Sequence, residues 1–162
     1  MRILSEVCAY LRNYFLADYL EPEKYMHYGT YTISNTRIDP LPFLVDGQYF
    51  RIIGSARNDG VYQWVDDPEN PNRHTVLADE IFEGSIWAMS VPPDVSDLIA
   101  EISSWMTTNN SVLNSPYQSE SFGGYSYSKS SGGGSSGNPS AAFSWQDQFA
   151  TRLAPYRRLS VL

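Results

Sequence analysis

The sequence has one cysteine, Cys8, and two histidines, His27 and His74. A single thiol cannot form an internal disulfide, and a zinc site needs three or four ligands, so a disulfide framework and a cysteine-based zinc cluster are both excluded. Free cysteine is among the most buried residue types, and Cys8 is therefore predicted to be a core residue. The histidines are far apart in the sequence and are interpreted as surface residues. We predict no bound metal.

Basic residues are also few. Lysine and arginine together number 11 against 18 acidic residues, which gives a formal net charge of -7. Attraction to nucleic acid or anionic lipid depends on clustered basic residues, so a sequence-reading DNA-binding domain is not favoured. The first 24 residues lack the apolar core of a signal peptide, and no stretch reaches membrane-spanning length. We therefore expect a protein that folds in the cytoplasm and contacts no membrane.

Signatures of catalysis are absent from the sequence. The glycine-rich runs 123–129 and 131–138 lack the spacing of a phosphate-binding loop, and no serine lies in a G-x-S-x-G elbow between a predicted strand and a predicted helix. The adjacent carboxylates at 66–67 and at 79–80 would point to opposite faces of a strand, so they are interpreted as solvated acids. We predict no catalytic residues, no cofactor and no enzymatic activity.

Hydrophobic periodicity divides the first two thirds of the chain into a helix and a β-rich unit. Apolar residues recur at helical spacing over about the first twenty residues, and Pro22 is predicted to end this helix. From residue 28 to residue 91 the pattern changes to short β-branched or aromatic runs. Within this unit we expect the runs 48–55 and 61–65 to pair through a tight turn at Asn58–Gly60, followed by a solvated loop at 66–73.

Two further helices are predicted in the last third. Pro92 and Pro93 precede an apolar stripe that ends near Asn109, and Ser144 is expected to cap a final helix that Pro155 ends. The residues expected to form the three buried stripes are Leu4, Val7, Cys8, Leu11, Tyr14 and Phe15, then Val95, Leu98, Ile99, Ile102, Trp105 and Met106, then Ala142, Trp145, Phe149, Leu153 and Tyr156.

These elements predict an α+β fold formed by one domain over residues 1–162. Three helices, packed only on one another, form a core into which the β-rich unit at 28–91 is inserted between helices 1 and 2. A flexible Gly/Ser-rich arm at 110–140 precedes the C-terminal helix and tail at 141–162. Such an arm suits an extended strand that pairs with another chain and becomes ordered only on assembly, although long loops are often simply solvated. The candidate interface residues of the arm are Phe122, Gly123, Gly124, Tyr125 and Tyr127.

The C-terminal third resembles a known family. The stretch "SPYQSESFGGYSYSK", followed by "WQDQFATRLAPYRRLSVL", is similar to the end of the head-to-tail connector (adaptor) proteins of long-tailed bacteriophages and prophages. The resemblance covers the last forty-odd residues, whereas the β-rich unit departs from the mainly helical members. The matching residues are Glu120, Ser121, Gly123, Gly124, Tyr125, Ser126, Tyr127, Leu153, Tyr156, Arg157 and Arg158.

The resemblance implies a structural virion protein without turnover. Its subunits would form a twelve-fold ring in the neck, beneath the portal, and would continue the DNA channel toward a stopper or other tail-proximal neck protein. DNA would pass through without sequence-specific binding. The tail would dock on the portal, although its arginines could equally be solvated charges at a helix end. The docking residues would be Tyr156, Arg157, Arg158, Leu159, Val161 and Leu162.

Two other functions fit the sequence. One is another neck or tail-completion protein, a stopper or tail terminator, whose folds are richer in β structure. The other is a non-viral cytoplasmic binding module, in which Tyr49, Trp64 and Trp87 of the β-rich unit would form an aromatic site. Clustering of these three side chains on one exposed face would favour the binding module.

Overall fold

The computed structural model describes residues 2–16, 18, 20–110, 119–122, 125–128 and 144–159. The described ranges contain three α-helices, seven strands and two short 3-10 turns, which confirms the α+β class. None of these helices is both long and apolar enough to cross a membrane. The helices are α1 (Arg2–Leu11), α2 (Pro93–Thr108) and α3 (Trp145–Leu153); the strands are β1 (Met26–Ser34), β2 (Arg37–Ile38), β3 (Tyr49–Ile53), β4 (Gly60–Gln63), β5 (Glu80–Ala88), β6 (Ser119–Phe122) and β7 (Tyr125–Ser128); the 3-10 turns are Pro22–Lys24 and Ala154–Tyr156.

Strands β1 to β5 form a curled antiparallel sheet in the order β2-β1-β5-β3-β4. The predicted pairing of β3 with β4 is confirmed, with Tyr49 opposite Gln63 and Ile52 opposite Gly60. The predicted tight turn at Asn58–Gly60 is wrong, because Gly60 is already paired in β4 and the loop between the two strands runs over residues 54–59. Asn58 is only 2% exposed, and its side-chain amide exchanges two hydrogen bonds with the backbone of Ala78, at 2.9 and 2.7 Å. A buried asparagine bound to the backbone just before β5 cannot form the tip of a hairpin.

The curl of the sheet depends on a close approach between β3 and β5. A Cβ atom added at Gly84 would lie 2.2 Å from the carbonyl oxygen of Ile53, so only glycine fits there. Gly54 follows with a φ of +92°, which turns the chain out of β3. One face of the curled sheet packs against the segment that joins β2 to β3. Its buried core consists of Ile33, Ile38, Leu41, Leu44, Phe50, Ile52, Trp64, Leu77, Phe82, Ile86 and Ala88.

The three helices share a second core with the sheet. The expectation that they pack only on one another is wrong, because Val61 of β4 and Met89 after β5 belong to the same buried cluster, and Tyr49 packs against it. The helical members are Leu4, Val7, Cys8 and Leu11 of α1, Val95, Leu98 and Ile102 of α2, and Trp145, Phe149 and Leu153 of α3. The helical layer and the sheet are therefore packed together rather than joined only by a linker.

The first helix ends at Leu11, well before Pro22. Arg12 adopts a left-handed φ of 52°, its N–H donates to Ala9 O at 3.1 Å, and the N–H of Asn13 donates to Cys8 O at 3.0 Å. This pair of hydrogen bonds is the Schellman arrangement that ends many helices, where glycine is the usual residue at the left-handed position. The sequence carries arginine there, so the end of the helix was not visible in it. Tyr14 and Phe15, predicted to be helical, instead lead the chain toward the sheet.

The other two helices agree with the sequence. Helix α2 ends at the predicted place, with Asn109 as its C-cap. Helix α3 begins at the predicted cap: the hydroxyl of Ser144 accepts the N–H of Asp147 at 3.1 Å and donates to its carboxylate at 2.6 Å. Pro155 lies in the 3-10 turn directly after α3. The predicted stripe residue Ala142 lies outside the described residues.

Candidate functional site

The C-terminal segment, residues 156–159, is held against the end of α1. The side chain of Asn13 donates to the carbonyl of Tyr156 at 2.9 Å, and the N–H of Arg158 donates to the carbonyl of Leu11 at 3.0 Å. The last carbonyls of a helix have no partner within the helix, so the second bond satisfies one of them. These two bonds fix the point at which the segment leaves the helical layer.

The predicted docking residues therefore differ in their surroundings. Tyr156 is partly buried against the helical core, and the exposed guanidinium of Arg157 lies 5.6 Å from the centre of the Tyr10 ring. Leu159 is 79% exposed. Val161 and Leu162 lie outside the described residues. The geometry brings Tyr156, Arg157 and Arg158 together beside α1 and leaves Leu159 facing outward, where an apolar side chain can contact a partner.

A cleft of about 400 Å³ lies between α2 and α3 beside Tyr156. Across it Arg152 of α3 makes a two-pronged ion pair with Glu101 of α2, at 2.5 and 2.8 Å. The hydrogen bonds from Arg152, together with its charge, hold the pKa of Glu101 below its ordinary value, and Glu101 raises the pKa of Arg152. Asp94 and Asp97 complete an acidic rim on α2. The cleft thus combines negative charge with a partly buried tyrosine.

The arm contains a local hairpin. Strands β6 and β7 pair antiparallel as a separate two-stranded sheet, with Phe122 opposite Tyr125 and Glu120 opposite Tyr127. Gly123 and Gly124 lie outside the described residues, as does most of the segment 110–140. Pairing of the arm with another chain stays a prediction.

In the described ranges the residue types that bind metals do not gather into a metal site. No group of three or more His, Cys, Asp or Glu side chains that could hold a metal ion occurs there. Cys8 is fully buried, as predicted, and burial raises the pKa of its thiol to about 12, which makes it a poor nucleophile. His27 is not a surface residue as interpreted from the sequence: its ring stacks on Phe43 at 3.8 Å and is partly buried. His74 lies in an exposed loop, near the hydroxyl of Thr36.

The acidic pair at 79–80 is also not simply solvated. The carboxylate of Asp79 accepts the backbone N–H groups of Asn35 and Thr36, at 3.2 and 2.7 Å. The carboxylate of Glu80 accepts the hydroxyl of Ser55 and backbone N–H groups of the loop that follows β3. Both acids hold loops in place, which is a structural role.

The three aromatic residues proposed for a binding module do not share an exposed face. Trp64 is buried in the sheet core, with its ring 5.9 Å from that of Phe50. Trp87 faces the other side of the sheet, and Tyr49 packs against the helical core. The geometry therefore gives the aromatic binding module no site made of these residues.

One notable cluster was missed by sequence reasoning. The guanidinium of Arg51 lies 3.6 Å from the centre of the Tyr14 ring and 4.9 Å from the ring of Trp87. This cation-π stack joins the segment after α1 to the sheet. The sequence offered no signal for it, since Tyr14 was expected on the helix and Arg51 and Trp87 meet only because β3 and β5 pair.

Comparison with known proteins identified no relative of this chain. No protein-family profile, curated protein or solved structure matches this chain. The C-terminal segment, with its fixed exit beside α1, is the feature of the described structure that best fits a contact with a partner.

Proposed function

We propose that this protein is an adaptor subunit of a bacteriophage or prophage neck. In this proposal α1, α2 and α3 form the connector core, copies of the chain form a ring beneath the portal, and the ring joins the capsid to the tail and continues the DNA channel. The protein acts as a structural part of the virion and carries out no turnover. Its partners are other copies of itself, the portal protein and a tail-proximal neck protein.

The observation that carries the proposal is the exit of the C-terminal segment. The bonds to Leu11 and Asn13 hold residues 156–158 in place, and the exposed Leu159 follows immediately. A docking element gains affinity when it is held in position before it binds, because less entropy is lost on association. The same residues carry the sequence resemblance to the adaptor family, so sequence and geometry favour the same segment.

The charge of the chain is compatible with a DNA conduit. Asp94, Asp97 and Glu101 form an acidic rim on α2, and the whole chain carries a formal charge of -7. A channel lined by basic residues would bind phosphate and slow the passage of DNA, whereas an acidic surface lets the duplex slide.

Light scattering of the purified protein, alone and mixed with the portal protein of the same genome, tests the proposal. We expect a ring-sized complex on the portal. A matched pair of variants locates the contact: Leu159→Asp should abolish portal binding, whereas Val76→Asp, at another exposed apolar position in a loop, should not. A wild-type protein that stays monomeric and ignores the portal would refute the adaptor function.

A second candidate is a stopper or tail terminator. The observation that favours it is the five-stranded antiparallel sheet, because these proteins are richer in β structure than adaptors. The same mixing experiment separates the two candidates. A stopper or terminator would bind the assembled neck or the tail end and would not bind the isolated portal.

A further inference from the structure

Strand β1 has an open edge over its first half. The N–H of Ala88 donates to Tyr25 O at 2.7 Å, which directs the backbone groups of the odd-numbered residues toward β5. The N–H of Asp39 donates to Thr32 O at 3.1 Å, which directs the even-numbered residues the other way. Strand β2 pairs only with the last two residues of β1. The N–H and carbonyl groups of Tyr28 and Thr30 therefore face outward, and no hydrogen bond within the described part of the chain satisfies them.

The opposite edge of the sheet is partly covered. The hydroxyl of Thr75 donates to Gln63 O at 2.7 Å, and the N–H of Thr75 donates to Val65 O at 2.9 Å. The segment around Thr75 thus lies along the end of β4. The first half of β1, which β2 leaves uncovered, therefore presents a run of outward-facing backbone groups with no covering segment among the described residues.

Strand β1 also lacks the usual protection of an exposed edge. Soluble proteins discourage strand addition by placing charged residues, prolines or bulges on such edges. The nine residues "MHYGTYTIS" include no proline and no acidic or basic residue apart from His27, and the first eight of them pair with β5 without a bulge. Tyr28, which is 72% exposed, and Thr30 are of the β-branched and aromatic types that favour strand pairing. This edge is suited to accept another strand.

The same chain contains a strand pair without a larger sheet. The hairpin of β6 and β7 joins no other strand of the described chain, and an isolated two-stranded hairpin is marginally stable in water. Ten residues separate Thr108 from Ser119, and they can span at most about 35 Å. A domain of this length has a radius of gyration of about 15 Å, so the hairpin can reach an adjoining copy.

We propose that the open edge of β1 at Met26–Thr30 is the acceptor for the β6–β7 hairpin of a second copy of this chain. Strand addition satisfies the outward N–H and carbonyl groups of Tyr28 and Thr30 and extends the five-stranded sheet by the two strands of the hairpin. The contact is heterologous, since the edge of one copy meets the hairpin of the next, and such contacts form a ring when the rotation between neighbouring copies closes. The inference rests on the proposed ring and names the surfaces that hold it together.

Replacement of Thr30 by proline tests this acceptor edge. Proline removes the outward N–H and places its ring on the edge, and edge positions whose N–H faces solvent tolerate proline. Thr30→Ala is the matched control, because it removes the side chain and keeps the N–H. We expect Thr30→Ala to assemble like the wild type and Thr30→Pro to associate about tenfold more weakly, or worse, at each interface, as measured by light scattering.

Cross-linking gives a second test that does not depend on the stability of the proline variant. Thr30→Cys on one chain should form a disulfide with Ser121→Cys or Ser126→Cys on another. Ser121 and Ser126 lie opposite each other, one on each strand of the hairpin, so whichever strand pairs with β1 carries one of them. The buried Cys8 serves as an internal unreactive thiol. Ser104→Cys, on the exposed side of α2, is the control that should not cross-link with either hairpin variant.

The outcomes separate this inference from the proposed function. Assembly of Thr30→Pro at wild-type strength, or absence of the Thr30–hairpin disulfide, overturns the inference while portal binding by the same samples leaves the adaptor function in place. Loss of portal binding with unchanged self-association shows that the edge accepts the portal, which also overturns the inference. A wild-type chain that neither self-associates nor binds the portal removes both.

Discussion

The backbone N–H of Arg158 lies 3.0 Å from the carbonyl oxygen of Leu11, the last residue of α1. The end of α1 and the C-terminal segment are therefore joined at one point, and the segment leaves the helical layer from a fixed position. This relationship bears on the proposed function because the residues proposed to dock on the portal lie in the same segment. Changes at the end of α1 should consequently act on the C-terminal segment.

Replacement of Asn13 by alanine tests this connection. The variant loses the hydrogen bond to Tyr156 O and the bond that its side chain accepts from the N–H of Phe15. We expect the free energy of unfolding to fall by about 1–2 kcal/mol. We also expect the amide of Arg158 to exchange hydrogen faster than in the wild type.

Asn72→Ala, in the exposed loop at 66–73, is the control and should change neither quantity. Equal protection of the Arg158 amide in Asn13→Ala and the wild type would show that the end of α1 does not hold the C-terminal segment.

Two glycines that face each other in β1 and β5 should respond differently to the same substitution. Gly29 and Gly84 are paired, but a Cβ at Gly84 would meet the carbonyl of Ile53 at 2.2 Å, whereas a Cβ at Gly29 meets nothing closer than 4.0 Å. We expect Gly84→Ala to lower the free energy of unfolding by about 3 kcal/mol and Gly29→Ala to change it by less than about 1 kcal/mol. Urea unfolding of both variants measures the difference. Similar values would mean that the curl of the sheet does not require this close approach.

The stability contributed by Glu80 should depend on pH. The hydroxyl of Ser55 is the main cause that lowers the pKa of this carboxyl, and backbone N–H groups of Ala56 and Arg57 and the amide of Asn58 add to it. A carboxyl whose pKa is lower in the folded state stabilises the fold above its ordinary pKa of 4.5, and this stabilisation is lost as the pH falls through the lowered value.

The measurement is the melting temperature of Glu80→Gln from pH 7 to pH 3. We expect the variant to melt below the wild type at pH 7, with a difference that shrinks as the pH falls below 4.5. Glu69→Gln, in the exposed loop at 66–73, is the control and should follow the wild type throughout. A difference that stays constant with pH would show that the charge of Glu80 does not hold the loop.

The thiol of Cys8 should react only after unfolding. It is fully buried, and desolvation raises its pKa to about 12, so little thiolate exists at neutral pH. We expect labelling by an aromatic disulfide reagent at pH 8 to proceed at the rate of unfolding and to accelerate with urea. Ser104→Cys should add a second thiol that labels within seconds. Rapid labelling of Cys8 in the native protein would contradict its place in the helical core.

Much of the secondary structure could be predicted because it depends on local pattern. The stripe of α2, the Ser144 cap of α3 and the pairing of β3 with β4 follow from residue spacing and from capping preferences, which operate within a few residues. The end of α1 could not be predicted in this way. Phe15 and Leu16 are buried, so the apolar pattern continues past Leu11, but their backbone bonds to the segment that directly follows β5. Apolar spacing records burial and does not say which partner buries a residue.

The candidate site shows the same division. The sequence indicated which residues form the C-terminal segment, since its resemblance lies in consecutive residues. Its attachment to Leu11 and Asn13 joins residues more than 140 positions apart, and no local pattern encodes such a contact. The open edge of β1 was equally hidden, because which strand of a sheet lies at the edge depends on the order in which all the strands pair.

Composition, spacing and capping directly express the α+β class, the buried stripes of α2 and α3 and the burial of Cys8. Contacts made only in the folded protein set where α1 stops, how the helices pack on the sheet, why Gly84 must be glycine and where the C-terminal segment is held. These features arise between residues far apart in the chain, where burial and hydrogen bonding are set by the completed fold.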